Sequence, residues 1–170
     1  DGQYLQLRVR SSAAFSTTVS ATVTAGPLSD TWSVTTAPQD VTPDPFVFAD
    51  RDGVPISSVV DSEVLRVTGI TGKVAVSISG GTYRICADSV CTGAPAFTTV
   101  PASIAAGQYL QLRVTSSAAH ATAVTATVTV GTYSDTWSVR TLGDPCAGAV
   151  PPGTVCADGT RFAGHSPDGS

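Results

Sequence analysis

Four cysteines are the residues of this sequence best suited to covalent or metal chemistry. They are Cys86, Cys91, Cys146 and Cys156, an even count that allows three disulfide connectivities. The gaps between neighbours in each half do not have the C-x-x-C spacing of a zinc knuckle, and the chain has only two histidines. The sequence therefore favours two disulfides between sequence neighbours, Cys86–Cys91 and Cys146–Cys156, formed in an oxidising compartment.

A run of carboxylates around "ADRDG" at residues 49–53 offers a second kind of chemistry. Oxygen ligands clustered in one loop are what calcium prefers, and Asp44, Asp50 and Asp52 would then be the ligands, with Asp61 and Glu63 downstream. Only a D-x-D-G fragment of a calcium loop is present. The same residue types favour a β-turn that needs no metal, and the sequence predicts that turn, with calcium as the alternative and no other cofactor.

Nucleophilic catalysis has little support in this sequence. The stretch "GHSPDG" places Asp168 two residues after Ser166, where a nucleophile elbow requires glycine, so a polar turn is expected there. His120 aligns with Phe15 in the internal repeat described below, and a position that accepts either residue is a packing or surface position. The sequence thus predicts no catalytic residue and a protein that is not an enzyme.

The composition narrows the classes of partner. Of the 170 residues, 13% are charged and the net charge is −4, so no basic stripe is available for nucleic acid or an anionic membrane surface. The apolar runs are far shorter than the roughly 20 residues of a membrane-spanning helix. A hydrophobic fraction of 42% is sufficient for a folded core. We therefore expect a folded chain with no nucleic-acid partner and no membrane span in this segment.

An internal repeat defines the organisation of the chain. The octapeptide "GQYLQLRV" occurs at residues 2–9 and again at 107–114, and residues 2–36 align with 107–141 without a gap, with 26 of 35 positions identical. The period is 105 residues. We predict that residues 1–36 are the C-terminal third of one repeat and residues 37–142 a complete one. The Gly- and Pro-rich residues 143–170 would be a linker and the start of another module.

Alternation of apolar and polar residues predicts strands throughout the complete repeat. In "YLQLRV", Leu110, Leu112 and Val114 would face inward, and in the last strand Trp137 and Val139 would do the same. "TAVTATVTV" shows the same pattern, and "FVF", "EVLRVTGI", "KVAVSI" and "YRI" are shorter candidates separated by turn residues. Seven or eight short strands without helical periodicity predict an all-β fold of tandem immunoglobulin-like antiparallel sandwiches.

One loop stands out as a candidate contact surface. Cys86 and Cys91 enclose Ala87, Asp88, Ser89 and Val90, which we predict to form the tip of a hairpin closed by the disulfide. Such a short bridge stabilises its loop locally. A rigid tip that projects from a sandwich can contact a receptor or a glycan, so these four residues are the predicted ligand-contact loop.

The ordered series "PDPFVFADRDGV", "VSISGGTYRI", "GQYLQLRVTSSAA" and "TATVTVGTYSDTWSVRT" resembles the repeats of about 100 residues found in large repetitive extracellular bacterial proteins and in phage tail-associated proteins. The resemblance implies a non-catalytic spacer or stalk, located on a bacterial surface, secreted, or on a virion appendage. Its expected partners are neighbouring repeats, or further copies in a homo-oligomer or fibre. The alternative is an adhesin module that binds a cell-surface receptor or glycan through hairpin loops.

Overall fold

The alternation of apolar and polar residues predicts strands, and the described part of the chain is all-β. The computed structural model describes residues 2–144 together with Gly153, Val155 and Cys156. Within these residues there are eleven strands and no helix, so nothing described could cross a membrane as a long apolar helix. The strands are β1 (Thr18–Ala25), β2 (Leu28–Thr35), β3 (Arg51–Val54), β4 (Val59–Asp61), β5 (Leu65–Arg66), β6 (Lys73–Ser79), β7 (Thr82–Cys86), β8 (Ala102–Ala105), β9 (Tyr109–Thr115), β10 (Ala123–Val130) and β11 (Tyr133–Thr141).

Nine of these strands form two sheets. The larger sheet has the order β3-β11-β10-β6-β8, and β3 runs parallel to β11 while the other pairs are antiparallel. In the smaller sheet β9 is central. β7 pairs with one edge of β9, and β4 and β5 pair with successive parts of the opposite edge, so these two short strands act as one interrupted strand.

The two sheets enclose a single apolar core in a sandwich-like arrangement. Leu110, Leu112 and Val114 of β9 are buried against Trp137 and Val139 of β11, as the alternation predicted. Every residue of this core lies between positions 48 and 139. Complete burial of a side chain of this size stabilises a fold by about 1.5–3 kcal/mol, so the core depends on a few large residues. The largest fully buried side chains are Trp137, Tyr83, Phe48, Ile104, Leu110 and Leu112.

The segment before β3 differs from the prediction. Residues 46–48 are not a strand. The Phe48 N–H is bonded to a carboxylate oxygen of Asp135 at 2.7 Å instead of a strand partner, and Phe48 is buried as an anchor. The predicted turn at Asp50–Gly53 is also wrong, because residues 51–54 are strand β3, and Gly53 has a φ of 69° where the β3–β11 register shifts. Glycine tolerates this conformation, which lets the ladder bulge.

The middle of the repeat contains further differences. The predicted strand from Glu63 is only two residues long, Leu65–Arg66, and β4 and β8 were not predicted at all. β4, β5 and β8 have two to four residues each, so they present too few alternations for a period of two to be recognised.

Strands β1 and β2 form a two-stranded sheet of their own. Their register pairs Ala21 with Trp32, and β10 and β11 pair Ala126 with Trp137, so the two hairpins match at an offset of 105 residues. Each hairpin also turns on a glycine with positive φ, 60° at Gly26 and 57° at Gly131. The sequence repeat is therefore accompanied by the same local geometry.

Candidate functional site

The cysteine turn, defined as residues 86–91, begins where β7 ends. Cys86 and Cys91 are joined by a disulfide with a Cα–Cα distance of 4.9 Å, and both sulfur-bearing residues are buried. Cys91 has a φ of 56°, a left-handed conformation that a non-glycine residue adopts only when its surroundings hold it there. The predicted Cys86–Cys91 disulfide is confirmed.

Asp88 organises the inside of the cysteine turn. One of its carboxylate oxygens accepts the N–H groups of Val90 and Thr92, each at 3.0 Å, while its carbonyl oxygen accepts the N–H of Cys91 at 3.3 Å. The Thr92 N–H is the main cause that lowers the pKa of Asp88, since it stabilises the charged carboxylate, and burial opposes that effect. The folded turn therefore stabilises the charged form of Asp88. Its contribution is lost only as the pH falls into the acidic range where the carboxyl group is protonated.

The outer surface of the cysteine turn is apolar at its tip. The Val90 side chain is 77% exposed, and Ala87 and Ser89 are exposed beside it. The turn is thus fixed at its base by the disulfide and by Asp88 and presents a valine to solvent. Such a surface is suited to contact with another macromolecule through van der Waals packing.

The cysteine turn was predicted to be the tip of a hairpin, and the chain that follows it returns antiparallel beside β7 at a single bridge. β7 lies in the smaller sheet and β8 in the larger one, so residues 87–101 cross from one sheet to the other. On its way the chain makes one bridge, in which Tyr83 and Thr98 exchange backbone hydrogen bonds of 2.9 and 2.8 Å. The turn therefore lies within a long crossing connection that folds back along β7.

That connection brings Phe97 over the outer face of the smaller sheet. The Arg113 guanidinium lies 3.9 Å from the centroid of the Phe97 ring and the Arg84 guanidinium 4.6 Å from it. Arg84 also donates two hydrogen bonds to the side-chain oxygen of Gln111, at 2.9 and 2.7 Å. The resulting cation–π cluster covers Gln111, which lies on the face opposite Leu110 and Leu112 and is nevertheless buried.

One of the two guanidinium charges in this cluster is paired with a carboxylate. Arg113 makes a two-pronged ion pair with Asp61, with N···O distances of 2.5 and 2.7 Å. Hydrogen bonding to Asp61 raises the pKa of Arg113 further above its usual value. Because the ion pair joins β4 to β9, the cluster fastens the edge of the smaller sheet. The cation–π cluster was not predicted from the sequence, because the approach of Phe97 to the two arginines depends on the path of an irregular connection.

Three of the five carboxylates considered for calcium, those of Asp50, Asp61 and Glu63, are bonded to other groups of the chain. Asp50 accepts the Ser138 N–H at 2.8 Å, and Glu63 accepts the Ala49 N–H at 2.6 Å. Asp44 lies against Gly69, and Asp52 is exposed in β3. Across the described part of the chain, no three His, Cys, Asp or Glu side chains are arranged to hold a metal ion. Asp50 instead connects the start of β3 to β11.

The remaining candidates from the sequence are His120, Cys146, Cys156 and Ser166. The Nδ1–H group of His120 donates a hydrogen bond to the Leu142 carbonyl at 3.1 Å, at the end of the sandwich. Cys156 is disulfide-bonded, while its predicted partner Cys146 lies outside the described residues. Ser166 and its "GHSPDG" stretch lie outside them as well.

Replacing both Cys86 and Cys91 with alanine should loosen the cysteine turn and leave the sandwich folded. The bridged residues are five positions apart, and closing so short a loop contributes about 2 kcal/mol in the chain-entropy model. We expect faster hydrogen exchange at the Val90 and Thr92 amides and unchanged protection in β9–β11. The control is Val90→Ser, which keeps the disulfide and should change neither. Loss of protection in β9–β11 would contradict a local role.

Comparison with known proteins gives no relative from which a role could be transferred. No protein-family model and no curated protein sequence matches the chain.

Proposed function

We propose that this chain is a segment of a repeat-built spacer, in which immunoglobulin-like sandwiches are joined in tandem and extend an extracellular bacterial surface protein or a phage tail or fibre appendage. The observation that carries the proposal is the recurrence, at an offset of 105 residues, of one sequence with one hairpin register. Repetition of a whole structural unit lengthens a molecule without adding chemistry. The spacer is therefore non-catalytic.

The placement of the terminal strands supports a mechanical role. When a tandem chain is pulled, the force is applied to each unit at two points, the residues just before β3 and the residues just after β11. These strands are parallel neighbours, so the force acts on opposite ends of one ladder. The hydrogen bonds of the ladder are then strained together in shear and do not open one after another. Resistance to extension follows from this arrangement.

Side-chain bonds reinforce the same junction. The Trp137 indole N–H donates to the Ala49 carbonyl at 2.9 Å, and the Ser138 N–H donates to Asp50 at 2.8 Å. Beyond the ladder, the Leu142 N–H donates to the Val54 carbonyl at 2.9 Å. Contacts thus hold residues 49–54 to β11 and Leu142 at both ends of β3. The Asp50 carboxylate therefore has a structural role, as the acceptor of the Ser138 N–H, that needs no metal.

Single-molecule stretching of the chain between its two ends tests the proposal. We expect a distinct unfolding peak from the sandwich, and a lower peak force for Asp50→Ala because that variant removes the acceptor of the Ser138 N–H. Asp52→Ala is the matched control. Asp52 is exposed two residues away, makes no such bond, and should leave the force unchanged. Extension without a resistance peak would sink the spacer proposal.

The extracellular assignment is supported by the disulfide chemistry. The Cys86–Cys91 bridge is formed, and disulfides of this kind persist in oxidising compartments. Further copies of the repeat, either in the same protein or in a homo-oligomer or fibre, are the expected partners of the spacer.

A second candidate function is adhesion through the cysteine turn. Its supporting observation is the exposed Val90 on a turn that the disulfide and Asp88 hold in one conformation. A preformed loop loses little conformational entropy when it binds. Binding of the labelled chain to cell-surface glycoprotein or glycan arrays, lost in Val90→Asp and kept in Ser89→Ala, would favour this role. No binding by the unmodified chain would remove it.

A further inference from the structure

The apolar face of residues 2–36 is open, although the same face is closed in the second copy of this sequence. Trp32 is 42% exposed and Leu5 70% exposed, whereas their counterparts Trp137 and Leu110 are 0% and 1% exposed. None of residues 2–36 is buried. The difference arises from the neighbours, since residues 107–141 pack on β3 to β8, whereas among the described strands residues 2–36 have no equivalent beside them.

The side chains that would enter a core are almost unchanged between the two copies. The copies differ at nine of 35 positions, and two of these differences, Ala25 for Val130 and Leu28 for Tyr133, fall on the inward face. Eight inward positions are identical. The apolar inward pairs are Leu5 and Leu110, Leu7 and Leu112, Val9 and Val114, Val19 and Val124, Ala21 and Ala126, Val23 and Val128, Ala25 and Val130, Leu28 and Tyr133, Trp32 and Trp137, and Val34 and Val139.

The open hairpin is already in the conformation of the packed one. Thr36 donates to the Ala14 carbonyl at 2.6 Å, and Thr141 donates to the Ala119 carbonyl at 2.7 Å, the same bond one repeat later. Each hairpin is preceded by a residue with positive φ at the matching position, 49° at Ser16 and 51° at Ala121. The β1–β2 hairpin therefore needs little reorganisation in order to bind, whereas residues 4–10, the counterpart of β9, would have to form a strand on binding.

The polar groups that fasten the second copy are also present in the first. Asp135, which accepts the Phe48 N–H, corresponds to Asp30. Gln111 donates to the Ser62 carbonyl at 3.0 Å and Arg113 pairs with Asp61. The corresponding residues are Gln6 and Arg8. The open copy thus keeps both the apolar and the polar groups that recognise the segment from residue 38 to residue 105.

We propose that residues 2–36 dock a second copy of the 38–105 segment, supplied by a neighbouring repeat and not by this chain's own one. This chain's own segment is already occupied by residues 107–141. The incoming copy would pair its β6 antiparallel with the free edge of β1 and its β3 parallel with the free edge of β2, as β10 and β11 are paired here. The identity of this partner rests on the repeat function proposed above.

The test extends the full chain at its N-terminus with a second copy of residues 38–105 joined to Asp1. We expect acrylamide quenching of Trp32 to fall to the level of Trp137. The signal of Trp32 is obtained by comparison with Trp32→Phe, since the chain has only two tryptophans. Trp137 remains in every variant and reports whether the sandwich formed by residues 38–142 of the original chain, here called the resident sandwich, is folded.

The matched control carries Val76→Asp and Ile104→Asp in the added copy only. Both residues are buried in the resident sandwich, so the altered copy should not dock and Trp32 should be quenched as in the unextended chain. The proposal is overturned if Trp32 stays accessible in the extended chain, or if it is protected equally by the altered copy. Either result leaves the stretching experiment intact, because that experiment concerns the resident sandwich alone.

Discussion

Replacement of Trp137 with alanine should lower the free energy of unfolding of the sandwich by about 3–5 kcal/mol, the usual cost of removing a large aromatic side chain from a core. Trp137 is fully buried between the sheets, and its indole N–H donates to the Ala49 carbonyl at 2.9 Å. The variant therefore creates a cavity and also removes the donor from that carbonyl. Urea unfolding followed by circular dichroism measures the change.

The chain contains its own control for this substitution. Trp32 occupies the same register position opposite Ala21 as Trp137 does opposite Ala126, but its side chain is 42% exposed. Trp32→Ala should change the stability of the sandwich by roughly 0.5 kcal/mol or less, as is usual for surface substitutions. Equal losses for the two variants would mean that the first hairpin shares the core, contrary to the structure.

This contrast shows which part of the fold could be predicted from the sequence. Alternation identified Leu110, Leu112, Trp137 and Val139 as inward residues, and all four are buried. Each belongs to a strand of seven or nine residues, long enough for the period of two to repeat. The all-β class followed from these strands. The Cys86–Cys91 bridge was predictable because both cysteines are close in sequence.

Other features depend on contacts between distant segments and have no local signal. Phe97 covers Gln111 through Arg84 and Arg113, and these residues meet only because residues 87–101 cross between the sheets. Similarly, Asp50 was considered as a metal ligand or a turn residue, yet its partner is the Ser138 backbone, 88 positions away. The chemistry of a side chain determines which groups it can bind, whereas the topology of the chain determines which of those groups lies next to it.

Gly131→Ala is expected to have the second largest effect, a loss of about 2–5 kcal/mol. Gly131 has a φ of 57° in the two-residue loop between β10 and β11, and a side chain in that conformation costs about 1–2 kcal/mol. A Cβ atom there would also lie 2.0 Å from the Val41 carbonyl oxygen. Relieving that contact displaces backbone and adds about 1–3 kcal/mol. Thermal unfolding of the variant measures the sum.

The displaced backbone is part of the attachment of the segment that precedes β3. The Val41 carbonyl accepts the Thr132 N–H at 3.3 Å, and the Thr42 and Thr132 hydroxyl groups are 2.8 Å apart. Gly131 itself donates to the Ala75 carbonyl at 2.8 Å, which holds the loop against β6. Gly131→Ala should therefore increase hydrogen exchange at the Thr132 amide as well as lower the melting temperature.

Gly26 separates the two causes of the Gly131 effect. It has nearly the same φ, 60°, at the matching position of the first hairpin, but a Cβ atom there would meet no atom within 4 Å. Gly26→Ala thus carries the conformational cost without the contact, and that cost is confined to the β1–β2 hairpin. The melting temperature of the sandwich should not change in this variant. If Gly131→Ala were equally harmless, the close approach of Val41 to the β10–β11 loop would not exist in solution, and the segment that precedes β3 would not be anchored there.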